Sequence, residues 1–346
     1  MQAFPLAVII TATLYKLSNM LASAIICALF ALPGRMPPLS PEASQPSPYT
    51  KKTNHITSFD DNPPFKGIVV LEDLGCPDLH RNRIRRHFLN NDNDKLLAPE
   101  SEYEPPVIKS TTSTENILKH IVHRLAYLDA PVDAKEVAES IEFYLRSGKR
   151  AIGAARRILK NNNVAEQTMV VKDLCSGHGL TGMIFLACNP PERLKANMRL
   201  ILVDQKEPQS HSILRDLITG ICPWVNQDTV QFVETDLDGY VSNSLSSVAH
   251  DEASIIISTH ACGSLTDDVI RYGIESKAAS ISVMPCCYTG TAKGTPYGVQ
   301  RMFGISASAD ISRSFFLHDN GYHVDFAAIP QAITPMNRLI VAERRF

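Results

Sequence analysis

The 346-residue sequence has little net charge and contains no C-x-x-C pair, and each absence argues against a class of protein. The formal net charge of −2 gives no general attraction to nucleic acid, so any such attraction must come from local basic segments. Because no C-x-x-C pair occurs, a zinc finger is poorly supported, and we predict no metal site. The eight cysteines are dispersed, which is not typical of a secreted disulfide framework. We therefore expect reduced thiols and an intracellular protein of the cytoplasm or nucleus.

The first 33 residues carry one charge, Lys16, and residues 17–33 are uncharged and mostly apolar. A run of this length is near the lower limit of about 17 residues for a membrane helix. Segment 1–35 is therefore interpreted either as an anchor, with membrane contact through residues 1–33, or as an over-extended gene model that should begin at Met36. Residues 36–66 are rich in Pro, Ser, Asn and Thr without a hydrophobic period, which predicts a disordered linker.

Residues 67–165 predict a mainly helical extension with a basic face. A short strand is expected at 67–71, and helices are expected at about 113–129, 132–146 and 149–160. Segment 80–88 (HRNRIRRHF) carries four arginines, and segment 146–160 carries six basic residues and no acid. These two segments would follow an RNA backbone if they lie beside a catalytic cleft, although a solvated helix face explains such runs equally well.

Residues 166–346 predict an α/β domain. Apolar runs at 168–174, 198–204, 230–235, 254–260 and 280–285 are separated by helix-sized gaps, which is typical of a parallel sheet with helices on both faces. The last two runs, 322–329 and 337–343, are too close together for a crossover helix and must form an antiparallel hairpin. Ligands of such sheets bind beyond the carboxyl ends of the strands, where the strand order reverses.

The stretch VVKDLCSGHGLTG (170–182) places Gly177, Gly179 and Gly182 in a G-x-G-x-x-G pattern between a strand and a helix. Glycines at such a turn allow a ligand to approach the backbone, and Asp204 at the end of the next strand can accept hydrogen bonds from a ribose. Asp173 before the glycines would repel a pyrophosphate, but it can accept from a cationic amino group. This favours S-adenosylmethionine over a nicotinamide dinucleotide. The alternative is a tight turn with Asp173 as a helix cap.

The order D-x-C-S-G-x-G, Asp204, Asp236, H-x-C-G, T-D and C-C-Y, followed by T-P-x-N near the end, resembles a class I S-adenosylmethionine-dependent methyltransferase domain. The motifs are similar to the subfamily that includes the tRNA 2′-O-methyltransferase of the acceptor stem and a glutathione S-transferase C-terminal domain-containing protein. The resemblance covers about residues 168–346. It implies a Rossmann-like seven-stranded methyltransferase sheet and S-adenosylmethionine as cofactor, with Asp236 near the adenine. The cofactor-binding residues that we expect are Asp173, Cys175, Gly177, Gly179, Asp204 and Asp236.

The transfer site is expected at the ends of the fourth and fifth strands, where His260, Cys262, Cys286 and Tyr288 are the candidate catalytic residues. His260 could act as a general base or simply end its strand with a backbone hydrogen bond. Cys286 could be a nucleophile, or a metal ligand with Cys262 and His260, but buried cysteines are commonly small apolar residues, which we prefer. Tyr288 could stack on a base or fill the pocket wall.

The expected activity is methyl transfer to RNA, tRNA-like, at a ribose hydroxyl or a base. The fourth strand lacks the D/N-P-P-Y/F sequence of many base-amino methyltransferases, which argues against exocyclic amines as acceptors. The alternatives are a protein or a small-molecule acceptor, or a scaffold that binds the cofactor without turnover. A nicotinamide-dependent oxidoreductase would depend on the glycine loop alone.

Overall fold

The computed structural model describes residues 108–162, 168–244, 252–288, 291–330 and 333–345. The apolar segment 1–35, the linker 36–66, the strand at 67–71 and the basic segment 80–88 lie outside these residues and stay predictions. Within the described ranges, no helix combines the length and the apolar character needed to cross a membrane.

Two helices precede the sheet, α1 (Thr114–Tyr127) and α2 (Ala134–Asn162). The Ser113 hydroxyl caps α1 by accepting from the backbone N–H of Asn116. The prediction of separate helices at 132–146 and 149–160 is wrong, because α2 is one helix of 29 residues. Gly148 does not break it. A Cβ there would lie 2.5 Å from Cε2 of Tyr144, so this glycine makes room for an aromatic ring within a continuous helix.

A seven-stranded sheet follows, with the strand order β3-β2-β1-β4-β5-β7-β6. Strands β1 to β5 are parallel to one another, and β7 is antiparallel to both of its neighbours, β5 and β6. The predicted fold class is therefore confirmed. The strands are β1 (Thr168–Leu174), β2 (Asn197–Asp204), β3 (Val230–Glu234), β4 (Glu252–Ser258), β5 (Ser280–Val283), β6 (Tyr322–Ala328) and β7 (Arg338–Arg344).

Helices cover both faces of the sheet. Neighbouring residues of β4 show this arrangement, since Ile255 and Ile257 belong to one apolar cluster and Ile256 belongs to the other. The helices after β1 are α3 (Leu180–Ala187), α4 (Pro191–Leu194), α5 (Gln209–Thr219), α6 (Leu237–Ser244), α7 (Leu265–Glu275) and α8 (Tyr297–Asp319). Residues of α1 to α5 contribute to the first cluster, and residues of α6, α7 and α8 contribute to the second.

The strand order reverses between β1 and β4, which are neighbours in the sheet although two strands separate them in the chain. In open parallel sheets the crevice beyond the carboxyl ends of the strands at this point is the usual ligand site. The loops after β1, β2, β3 and β4 lie at this end of the sheet, where a ligand is expected.

Candidate active site

The glycine loop connects β1 to α3 and has two glycines in the left-handed region, Gly177 with φ 55° and Gly179 with φ 81°. They serve different purposes. A Cβ at Gly179 would lie 2.4 Å from Cδ1 of Leu202, so this glycine allows the loop to pack on β2. A Cβ at Gly177 would meet no described atom within 4 Å, so this backbone stays open to a ligand.

A cavity of about 530 Å³ lies beside this loop. The structure brings five of the predicted site residues together around it. Asp173, Gly179, Cys262, Cys286 and Tyr288 do not line it. The predicted residues that do are Cys175, Gly177, Asp204, Asp236 and His260, and the others include Glu136, Ser176, His178, Gln205, Leu237 and Asp238.

Two carboxylates lie at the ends of β2 and β3. Asp204 accepts from the backbone N–H of Gly177 and of Gln205, both at 2.8 Å, so it ties the glycine loop to the end of β2. Asp236 accepts from the backbone N–H of Gly239 at 2.8 Å and caps the start of α6. Each carboxylate has further lone pairs, so both can also accept from a ligand in the cavity.

Asp173 lies behind the loop rather than in the cavity wall. One carboxyl oxygen accepts from the Gly182 N–H at 3.0 Å, and the other has no hydrogen-bond partner among the described residues. Burial raises the pKa of Asp173 well above its usual range, the Gly182 hydrogen bond opposes this, and the nearby charge of Asp204 adds to it. The side chain is 1% exposed, so an ionised form would be poorly solvated.

Cys175 lines the cavity with a left-handed backbone, φ 58°. Burial, together with the charges of Asp204, Asp173 and Asp268, raises the pKa of its thiol to about 12. The thiol is therefore protonated at neutral pH and is a poor nucleophile. We therefore assign Cys175 to the cavity wall.

Helix α2 adds a residue to the site that sequence reasoning missed. Glu136 lines the cavity, accepts from the Asp133 N–H at 3.1 Å and lies 3.5 Å from Nε2 of His178. Burial alone would raise the pKa of Glu136, but the His178 and Asp133 hydrogen bonds and the charge of His260 lower it to about 2. No motif marks Glu136, because it lies outside the region of resemblance.

His260 follows β4 and is exposed toward the cavity. Desolvation by the surrounding protein lowers the pKa of the imidazole, while Glu139 and Glu136 act in the opposite direction. A histidine with a lowered pKa is neutral at physiological pH and can accept a proton. This geometry is compatible with the predicted general base.

The predicted cysteines Cys262 and Cys286 form a group of their own. Their Sγ atoms are in disulfide contact, and the sulfur of Cys287 lies within 4.8 Å of both. The expectation of reduced thiols throughout the fold therefore needs correction at this pair. Cys286 and Cys287 lie beyond the end of β5 at Val283, where the backbone is not an extended strand, so these consecutive side chains need not point in opposite directions.

Tyr288 is held in a buried polar network. Its hydroxyl donates to Asp310 at 2.7 Å, and the guanidinium groups of Arg313 and Arg338 lie 5.7 and 5.6 Å from its ring centre. Arg338 also donates to Asp310 at 2.9 Å. Because its hydroxyl is hydrogen-bonded and two guanidinium groups lie beside its ring, Tyr288 anchors the loop after β5. The predicted stacking of Tyr288 on a base stays a prediction.

Two further acids near the transfer site belong to α7. Asp267 and Asp268 lie in its first turn, where their negative charges interact favourably with the positive end of the helix dipole. Asp267 also accepts from Arg313 at 2.7 Å, and Asp268 accepts from Arg271 at 2.6 Å.

Residues 149–293 match a family model described as a methyltransferase domain. This part of the chain is therefore similar to a methyltransferase domain. The match begins within α2 and ends just after the loop that follows β5, so it includes every residue predicted for the site. Glu136, which reaches the cavity from the first half of α2, lies outside it.

One curated relative is the glutathione S-transferase C-terminal domain-containing protein of Xenopus laevis, which is 31% identical over 126 residues. The match covers 36% of this chain and only 17% of that protein. This relative has the name of one protein that the motifs resemble, whereas the subfamily itself and the likeness to the tRNA 2′-O-methyltransferase stay predictions.

The solved structures that match this chain are more distant. A Listeria monocytogenes protein provisionally named a class I S-adenosylmethionine-dependent methyltransferase is 12% identical, with a TM-score of 0.38 and 80% of each chain covered. The precorrin-6y C5,15-methyltransferase of Geobacter metallireducens is 13% identical, with a TM-score of 0.31, and the match covers 56% of this chain and 87% of that one.

Proposed function

We propose that the protein uses S-adenosylmethionine to methylate an acceptor. The observation that carries this proposal is the cavity, because Gly177, Asp204 and Asp236 line it together beside the reversal of strand order. Its volume of about 530 Å³ is typical of a site for a cofactor of this size. The family match of residues 149–293 supports the same chemistry.

The residues present fit this cofactor. Asp204 supplies acceptors for ribose hydroxyls at the end of β2, and the open backbone at Gly177 leaves room for a ligand against the loop. Asp236 supplies an acceptor at the end of β3, where an adenine amine would bind by resemblance. The cofactor brings a methyl group on a sulfonium centre, and the chain must exclude water and hold the acceptor in line with that methyl.

His260 is the proposed general base. It faces the cavity from the loop after β4, and its lowered pKa keeps the imidazole neutral and able to take a proton from a hydroxyl or ring nitrogen. The carboxylates of Glu136 and Glu139 would stabilise the imidazolium that forms.

Calorimetric titration of the full-length chain with S-adenosylhomocysteine and, separately, with NAD tests the cofactor. We expect binding of the first only, and Asp204→Asn should weaken it by about 10- to 100-fold, since a charged acceptor is lost. The matched control is Asp216→Asn, an aspartate on α5 whose side chain is 70% exposed and which does not line the cavity. Binding of NAD, or of neither ligand, would contradict the proposal.

RNA is the proposed acceptor, and the resemblance together with the basic segments supports it. Two arginines of the basic segment 146–160 form ion pairs within the fold, since Arg150 and Arg157 pair with Glu343 at 2.6 and 2.5 Å. Lys149 and Lys160 are exposed on the same helix but do not line the cavity, so they would contact phosphates of a long RNA away from the transfer site.

Transfer of labelled methyl groups from S-adenosylmethionine to total RNA, to protein and to small-molecule fractions tests the acceptor. We expect label in RNA, reduced several-fold by Lys149→Gln with Lys160→Gln and unchanged by Lys119→Gln on α1. Label in protein would refute RNA as the acceptor but would support the proposed methyltransferase activity. Cofactor binding without transfer to any fraction would favour the scaffold.

A further inference from the structure

We propose that Cys262, Cys286 and Cys287 form a binding site for a thiophilic divalent cation, with zinc as the expected ion. Their three sulfur atoms all lie within 4.8 Å of one another. Cys262 is exposed and the other two are half-buried, so an ion can reach the group from solvent. This site is separate from the cavity, since none of the three residues lines it.

The convergence of three sulfurs is the observation that favours a cation over a simple disulfide. A disulfide needs two sulfurs, and the third would then have no reason to face the pair. The backbone beyond β5 turns both consecutive cysteines toward Cys262, which regular strand geometry would prevent. Zinc bound by three thiolates would use every sulfur and leave a fourth position for water or another ligand.

The loops that carry the sulfurs are held in place by hydrogen bonds that do not involve them. Arg313 donates to the carbonyl of Gly263 at 3.0 Å, directly after Cys262. Tyr288, directly after Cys287, is anchored by Asp310 at 2.7 Å. Such support keeps metal ligands in position before the ion binds.

Binding needs the reduced state of the Cys262–Cys286 pair. In that state zinc replaces the thiol protons, which are released to solvent, and small side-chain shifts set the sulfurs about 3.8 Å apart around an ion at about 2.3 Å from each. No electron transfer is involved once the thiols are reduced.

Full-length protein purified with a phosphine reductant and without chelators tests the proposal, with zinc measured by elemental mass spectrometry. We expect about one equivalent of zinc per chain in the wild type. Cys262→Ser, Cys286→Ser and Cys287→Ser should each lower it several-fold, whereas Cys222→Ser, in the apolar core, should retain it. A cobalt titration of the wild type should give thiolate-to-metal absorption in the near ultraviolet, which does not depend on any variant folding.

Two results would overturn the proposal. Zinc far below one equivalent in the reduced wild type after zinc loading would exclude the cation site, and a thiol count two lower in protein purified without reductant would then assign the pair to a disulfide alone. Zinc retained by all three serine variants would place the ion elsewhere. Titration of the same samples with S-adenosylhomocysteine reports on the cofactor site separately, so failure of the metal site and failure of the proposed methyltransferase are distinguishable.

Discussion

Replacing Gly179 with alanine tests the packing of the glycine loop on the sheet. The new methyl carbon would lie 2.4 and 2.9 Å from the two terminal carbons of Leu202, which is fully buried in the core. The backbone there has φ 81°, a conformation that costs an alanine about 1–2 kcal/mol relative to glycine. Gly177→Ala carries the same kind of backbone cost at φ 55°, but it meets no described atom within 4 Å.

The two variants therefore separate backbone strain from overpacking. Gly177→Ala should lower the free energy of unfolding by about 1–2 kcal/mol, the strain alone. Gly179→Ala adds displacement of a buried leucine, which costs about 1–3 kcal/mol, so its total should be about 2–5 kcal/mol. For ligand binding we expect the larger loss in Gly177→Ala, because a methyl group at Gly177 enters the space beside the cavity.

Urea unfolding followed by circular dichroism measures the stabilities, and calorimetry with S-adenosylhomocysteine measures binding. We expect Gly179→Ala to be the less stable variant and Gly177→Ala to bind more weakly once both are measured well below their unfolding midpoints. Equal stabilities would mean that Leu202 moves aside at no cost. Unchanged binding in Gly177→Ala would refute the assignment of its backbone to the ligand site.

Two further predictions concern the transfer site and its support. If His260 is the general base, the rate of methyl transfer should fall only at pH values below about 6.5, because the pKa of the folded imidazole is lowered and its neutral form persists above that pH. His260→Ala should abolish methyl transfer but keep the affinity for the cofactor. A rate that begins to fall at a pH above about 6.5 would contradict the general-base role. Asp310→Asn should lower the free energy of unfolding by about 2–4 kcal/mol, because Arg338 loses its partner in a buried network while Arg313 keeps Asp267. The control is Asp325→Asn in the ion pair with Arg150, where the aspartate is 55% exposed and the loss should be under about 1 kcal/mol. Equal losses in the two variants would refute the importance of the buried network.

The sheet could be predicted from the sequence because its parallel strands are buried on both faces and read as continuous apolar runs. The terminal hairpin followed from the short connection between its two strands. The helix pattern was less certain, since the Ser147-Gly148 pair has the composition of a break. The structure shows that Gly148 makes room for the Tyr144 ring within one continuous helix.

The site was predictable where a strand end and a glycine turn carry it, as with Gly177 and Asp204. It was not predictable where a long-range contact supplies the residue. Glu136 comes from a helix whose motifs match nothing that we identified, and it meets His178 only after folding. The sulfur group required the knowledge that β5 ends at Val283, which the apolar run did not reveal.

Asp173 distinguishes two ways in which this loop could work. Its raised pKa means that ionisation costs stability, so any contribution of the neutral carboxyl is lost as the pH rises through that folded pKa. Asp173→Asn keeps an oxygen for the Gly182 N–H and removes the cost of ionisation, so it should unfold at a higher temperature at neutral pH. If the unpartnered oxygen accepts from the cofactor's amino group, the same variant should bind S-adenosylhomocysteine more than about tenfold more weakly, since a charged hydrogen bond is lost. Higher stability with unchanged binding would instead assign Asp173 to the start of α3, and the cofactor's amino group would then need another acceptor, for which Glu136 and Asp238 in the cavity wall are available carboxylates.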